Sequence, residues 1–372
     1  MKNKIEIKND VALTIAEGNR YNSKVWKNRQ TTLQELFNRL SETRRTGETC
    51  NEFKNLSKEK RNEIKDSGGF VGGSLLKKGP RTTSNIAGRQ LVTLDLDNKV
   101  QPDTWGGFTL LYDNAAVMYS THSHRAEAPK LRLIFPLDRE VLPEEYEPIA
   151  RRIASYAGIN SVDPTCYRLP QFMYWPSTPK DGEYLFEYQD GPLFSADELL
   201  ATYKDWKDST EWPAADHEKE IIRSDIKKQG DPLEKPGIIG AFCRAYSVPD
   251  AIDTFLPEIY QPCDILDRYS YAKGSTAGGL IIYEDKFAYS HHGTDPISGK
   301  LCNAFDLVRL HLFGLQDEDR EDQKASNDAM RDFARKDPRV KLLLIEERRE
   351  SAEADFSEDL EPESETVKNW ET

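Results

Sequence analysis

The sequence has few of the residues that staple or anchor a chain. Its five cysteines, Cys50, Cys166, Cys243, Cys263 and Cys302, are odd in number and scattered, and no CxxC occurs. That argues against a disulfide framework and against an ordinary zinc finger, and leaves buried free thiols as the expectation. No run of 18 apolar residues could span a bilayer, so no membrane partner is expected. The opening stretch MKNKIEIKNDVALTIAEG carries charges inside its apolar part. It therefore lacks a secretory core, and the cytoplasm is the expected compartment. A Walker motif GxxxxGK[ST] is also missing, which excludes a P-loop nucleotide site within these residues.

What is present is a chain of 372 residues, 37% hydrophobic and 31% charged, which fits two domains with ordinary cores. The net charge of −13 argues at first against a nucleic-acid partner, but residues 346–372 hold eleven acids and three bases, a balance of −8 that leaves −5 for the rest. An acidic tail, solvated and partly disordered, is expected there. Upstream, bases cluster as Lys77, Lys78, Arg81 and Arg89, then Arg125, Lys130 and Arg132, then Arg151 and Arg152. Local patches of this kind decide phosphate contacts more than the total charge does.

Hydrophobic periodicity and caps divide the chain into residues 1–212, a mixed α+β domain; 213–236, a polar linker with room for one short helix; 237–345, a smaller accessory domain; and the tail. Helices are expected at 31–42, near 57–65, at 143–157 with Gly158 as its stop, and at 195–203, with capping-box spacing at Thr32/Glu35 and Ser195/Glu198. Strands are expected at 91–97, 115–121, 130–137 and 170–176. Gly68, Gly69, Gly72 and Gly73 read as a glycine-rich hairpin, with a phosphate cradle as the alternative.

The stretch LVTLDLDN (91–98) poses the chemical question. Read with period two, Val92, Leu94 and Leu96 point one way and Thr93, Asp95 and Asp97 the other. Two neighbouring carboxylates repel, and partial burial raises their pKa values, so a cation or a basic side chain is expected between them. Asp163, in SVDPTCYR, adds a third carboxylate close to Arg168. Three carboxylates among arginines and histidines suit a hard divalent cation, which takes oxygen ligands and borrows others from substrate phosphates. Any one of these acids could instead serve a turn or a salt bridge.

The order of these motifs resembles the archaeo-eukaryotic primase superfamily, in particular the primase-polymerase domain of phages and mobile elements that precedes a helicase of the virulence-associated protein E type. The similarity also takes in GFVGG, RLPQFMYWPST and AFCRAYSVPDAIDTFLPEIY, and so covers most of the chain. It implies an RRM-like catalytic domain with a mixed or antiparallel sheet, acting as a DNA primase or polymerase in the cytoplasm of a bacterial host. Asp95, Asp97 and Asp163 are implied as ligands of two Mg²⁺ or Mn²⁺ ions. The triphosphate would lie against Ser120, His122, Ser123, His124, Arg132 and Arg168. The family's middle motif is either Ser120-Thr121-His122 itself, or Arg132 replaces its histidine with Ser123 and His124 in the preceding loop. Lys77, Lys78, Arg81, Arg125 and Lys130 are the expected DNA contacts. Implied partners are single-stranded DNA template, nucleoside triphosphates and a replicative helicase, as a further domain or a separate protein.

In the accessory domain, GGLIIYEDKFAYSHHGTDPISGKLCNAFDLVRLH resembles in outline the zinc ribbon of bacterial primases. His291 and His292 stand where a cysteine pair is usual, and four ligands are hard to assemble, so a metal-free ribbon is expected over a zinc site. Two other readings of the whole chain remain. One is a non-catalytic replication-initiation or DNA-binding protein with vestigial carboxylates. The other is a metal-dependent phosphoesterase built on His122-Ser123-His124, which needs further imidazole ligands that six histidines barely supply.

Overall fold

The apolar residues of the first 200 positions and those from 241 to 340 form two separate cores. The computed structural model describes residues 5–274, 276–317 and 323–358. Within the first unit, a five-stranded antiparallel sheet is ordered Phe186–Gln189, Ala116–Ser120, Leu131–Val141, Ile86–Leu96, Gly73–Leu75. Nearly every residue of the Ile86–Leu96 strand is buried because the sheet is covered on both faces. The helix Pro143–Ala157 packs against that strand, and Gly158 ends it in the left-handed conformation at φ 96°.

A second, smaller sheet runs Lys27–Thr32, Ala12–Gly18, Gly69–Val71, Met173–Tyr174. Its existence corrects the hairpin reading of the glycine run. Gly69–Val71 belongs to this sheet, whereas Gly73–Leu75 pairs with Ile86–Leu96 of the other. Glycine is required at the passage: a Cβ on Gly69 would meet the Met173 carbonyl at 2.3 Å, and one on Gly73 the Gly88 carbonyl at 2.0 Å. These glycines are buried, so they do not cradle phosphate.

The helix Leu33–Leu40 buries Leu33, Leu36, Phe37 and Leu40, and Thr32 caps it by accepting from the Glu35 N–H. Glu35 turns instead to the Thr31 hydroxyl, so only half of the box forms. Ser195 likewise caps Ala196–Ala201 alone. The 170–176 strand shrinks to Met173–Tyr174 between its prolines.

The second unit is an antiparallel meander in chain order, Tyr260–Pro262, Arg268–Tyr271, Leu280–Tyr283, Phe287–Ser290, Leu301–Asn303, backed by the helices Gly237–Ala245, Val248–Phe255 and Ala304–Leu312. Its ribbon hairpin turns through Glu284 and Asp285, both at positive φ, 54° and 56°, as a two-residue turn matched to strand twist requires. The two ribbon histidines part company. His291 bonds Glu147 of the first unit at 3.0 Å, while His292 is buried against Thr276 and the Tyr271 N–H.

Both connections carry a helix. Residues 218–229 form the helix Glu218–Gln229, and Glu218 forks onto the buried Arg151 at 2.9 and 3.0 Å. The segment is thus fastened to the first unit and is no free linker. The helix Pro338–Glu358 carries into the acidic tail; residues 359–372 of that tail lie outside the described residues.

Arg89 and Arg151 leave the list of phosphate contacts, because both are buried. Arg89 ties the two sheets together: its guanidinium donates to the carbonyls of Leu169 (2.7 Å), Gln171 (3.2 Å) and Leu91 (3.3 Å) and to the Thr93 hydroxyl (2.9 Å), and lies 4.3 Å over the Tyr146 ring. Substituting Arg89→Met strands these carbonyls in the core. We expect it to lower unfolding free energy by about 3 kcal/mol, read as a shift of the urea midpoint; an unchanged midpoint would contradict this role.

Candidate active site

The site grows from register. Asp95 stands opposite Arg132, Arg132 opposite Tyr119, and Tyr119 opposite Phe186. Directly opposed residues of antiparallel strands project to the same face, so the acid and the arginine are held side by side. The Arg132 guanidinium reaches Asp95 Oδ2 at 3.3 Å, and Lys130, two residues earlier, reaches Asp97 Oδ2 at 3.3 Å. The cation expected between the two carboxylates is therefore a pair of basic side chains from the neighbouring strand and its lead-in.

Ser161, Val162 and Asp163 run along the other edge of the same strand end. The Asp163 N–H donates to the Asp95 carbonyl (2.9 Å), the Asp97 N–H donates to the Ser161 carbonyl (3.2 Å), and Leu96 is bridged to Val162. That makes Asp163 the lateral neighbour of Asp95. Burial pushes the Asp95 carboxyl up, Arg132 opposes this, and the charges of Asp97 and Asp163 add to it. A carboxylate so placed gains from any further positive charge.

Asp163 does not share the cavity of the other two. One of its oxygens accepts from the Thr165 N–H at 2.9 Å, capping a short 3₁₀ turn, and it lines the cleft between the two units with Arg168, Tyr289 and His291. Arg168 thus sits with Asp163 and away from Arg132. Among the described residues, no three His, Cys, Asp or Glu side chains converge closely enough to hold a metal.

The cavity over the strand ends is lined by Asp95, Asp97, Ser120, His122, Ser123, Lys130 and Arg132. Of the two assignments of the middle motif, Ser120-Thr121-His122 lies on the cavity wall, and so does Arg132; His124 does not. His122 is fixed between Ser177 Oγ on Nδ1 (3.0 Å) and Glu48 on Nε2 (2.9 Å), and its ring lies 4.4 Å from that of Phe53. Burial lowers its pKa, and Glu48 opposes this. His124 is buried too; its Nδ1 accepts from the Lys130 N–H at 3.2 Å, which orients the loop that delivers Lys130. The two histidines do not converge on one point: His122 Nε2 meets Glu48, His124 Nδ1 meets the Lys130 N–H, and among the described residues no three His, Cys, Asp or Glu side chains gather to hold a metal. The phosphoesterase reading has no site.

The five expected DNA contacts separate as well. Lys77 and Lys78 are exposed. Arg81 donates to the Pro170 carbonyl and covers the Phe172 ring at 4.5 Å, and Arg125 is held by the carbonyls of His124 and Cys50. Lys130 belongs to the cavity.

Sequence reasoning missed Lys65 and Ser177, which also line the cavity, and Glu48 behind His122. Lys65 ends the helix Lys58–Lys65, whose only visible signal is its Ser57 cap. Tyr174 and Trp175 form the rest of the wall.

No curated protein matches the chain. One solved structure, the AEP domain of the primase-polymerase of cyanophage S-2L, is similar at 13% identity over 51% of this chain and 87% of that one, with a TM-score of 0.29, too low an overlap to assign a fold. The model of the VapE N-terminal domain family matches residues 1–215, well over half of the chain, and the chain belongs to that family.

Proposed function

We propose that the chain catalyses template-dependent nucleotidyl transfer, as a DNA primase or polymerase in the replication of a phage or mobile element. One observation carries this reading: a single cavity sets Asp95 and Asp97 at a strand end against Lys130, Arg132, Ser120, Ser123 and His122. Acids for divalent ions and cations for a polyphosphate are the two needs of such a reaction.

The donor chemistry suits Mg²⁺ or Mn²⁺. It is all oxygen, and Mg²⁺ is commonly held by one or two carboxylates with the remaining ligands taken from substrate phosphates and water. Asp95 and Asp97 would hold the ions, with Asp163 beside Asp95 as a third ligand once it leaves its cap on Thr165. When bound, two such ions neutralise charge on the attacking and leaving oxygens.

The protein's own part is positioning. Lys130 and Arg132, released from the two acids, turn to the phosphates, and Arg132 keeps its charge: burial works against it, but Asp95 prevails and holds its pKa above the usual range. Arg132 also packs between the rings of Tyr119 and Tyr174, at 5.7 and 5.6 Å, which fixes its direction. Exposed Lys77 and Lys78 are the remaining candidates for the backbone of single-stranded template. A helicase, as a further domain or separate protein in the bacterial cytoplasm, is the proposed partner. Among the described residues no helix is long and apolar enough to cross a membrane.

The closed ion pairs Arg132–Asp95 and Lys130–Asp97 favour one competing reading, a DNA-binding initiation protein whose carboxylates are balanced internally. Activity separates the two. We expect Asp97→Asn and Asp95→Asn each to reduce primer extension by about 10³-fold, the scale of losing charge stabilisation at a reacting phosphate, with the circular dichroism spectrum unchanged; extension at the wild-type rate would refute the assignment. We further expect Lys77→Ala/Lys78→Ala to lower the slope of log affinity against log salt for single-stranded DNA by about 1.4, at about 0.7 per phosphate contact. An unaltered slope would remove these lysines from the interface.

A further inference from the structure

The charges on the cavity wall do not balance. Three cations, Lys65, Lys130 and Arg132, face two carboxylates, Asp95 and Asp97. Arg132 is matched to Asp95 and Lys130 to Asp97. Lys65 has no carboxylate partner in ion-pair range among the described residues; its ammonium lies 5.4 Å over the Tyr174 ring. It is partly buried, and burial and the neighbouring Arg132 charge both pull its pKa down, with Asp95 opposing. A desolvated ammonium without a counter-charge is costly, and here it is also held in place. The Lys65 carbonyl accepts from Ser177 Oγ at 3.1 Å, and the same hydroxyl bonds His122 Nδ1. Lys65 closes its helix at the end that favours a cation, so the helix terminus, Ser177, His122 and Glu48 form one connected support.

We propose that Lys65 binds the terminal phosphates of the incoming nucleoside triphosphate, and so sets the preference for triphosphate over shorter phosphate chains. The assignment rests on the nucleotidyl-transfer reading of the same cavity. The geometry behind it is the surplus cation on the cavity wall, held by a different element from the two paired ones. If Asp95 and Asp97 take up divalent ions, Lys130 and Arg132 lose their counter-charges, and the wall presents three unmatched cations. Lys130 and Arg132 start beside the acids, where the reacting phosphate must lie. Lys65 comes from a different element, the end of a helix of the N-terminal part, and is the group left for the far end of the chain.

The test is calorimetric titration of the whole protein, in the presence of Mn²⁺, with a deoxynucleoside triphosphate, diphosphate and monophosphate carrying the same base. For wild type, affinity should rise from mono- to triphosphate. Lys65→Met should weaken triphosphate binding by about tenfold, the scale of one charge-assisted contact, and level the triphosphate with the diphosphate. Monophosphate binding and the thermal midpoint should stay as in wild type. Lys65→Arg should restore the triphosphate preference, which a purely structural role would not require. If Lys65→Met keeps that preference while Asp97→Asn abolishes binding, the Lys65 assignment is overturned and the nucleotidyl-transfer reading stands. If wild type itself shows no affinity for triphosphate, both fall.

Discussion

A carboxylate on a buried strand needs a counter-charge, and the cross-strand pairing of Asp95 with Arg132 supplies it. The pair is fixed by backbone hydrogen bonds, not by side-chain choice, since the register that seats Leu94 against Leu133 also seats Asp95 against Arg132. A slip of one residue would send the acids into the apolar face and the leucines toward the cavity. The buried apolar residues of this strand therefore hold the polar site in place.

From that constraint the rest of the cavity follows by layers. Tyr119 and Tyr174 bracket Arg132, and the Tyr119 hydroxyl donates to the Tyr174 carbonyl at 3.0 Å, joining the central sheet to the segment that ends the smaller one. His122, Ser177 and the Lys65 carbonyl join the loop after Ala116–Ser120 to the helix Lys58–Lys65. Cys166 fits the same logic as a packing group. Its sulfur accepts from the Asp95 N–H, and burial, with the charges of Asp95 and Asp163, drives its thiol pKa well up, which keeps it unreactive.

Much of this was legible in the sequence, for identifiable reasons. The Asp95 strand and the helix Pro143–Ala157 carry strong period-two and helical patterns with clear stops. The acids on one face, and the need for positive charge beside them, followed from alternation and repulsion alone. Arg89 was misjudged as a surface base, because a sequence window shows a charge but not the carbonyls waiting for it. The glycine run was misjudged because two strands one residue apart look like a hairpin unless their partners are known. Lys65 was invisible since its importance comes from a helix end meeting a cavity built by later strands, among them Ile86–Leu96 and Leu131–Val141.

The two units are not loosely strung. Glu147 of the helix Pro143–Ala157 receives both Arg151 (2.9 Å) and His291 of the ribbon hairpin (3.0 Å), while Arg151 also holds Glu218. The account's central claim concerns the cavity beyond this junction: divalent ions and a polyphosphate take over counter-charges that basic side chains now provide. The two ligands must then bind cooperatively, since each removes what blocks the other. The direct measurement is Mn²⁺ affinity, followed by electron paramagnetic resonance, with and without a deoxynucleoside triphosphate that the protein cannot turn over. The account predicts at least about a tenfold tightening of Mn²⁺ with the nucleotide beyond what free Mn²⁺–nucleotide complexes explain, the usual scale of site coupling, and loss of that gain in Asp97→Asn. Equal Mn²⁺ affinity in both conditions would contradict it.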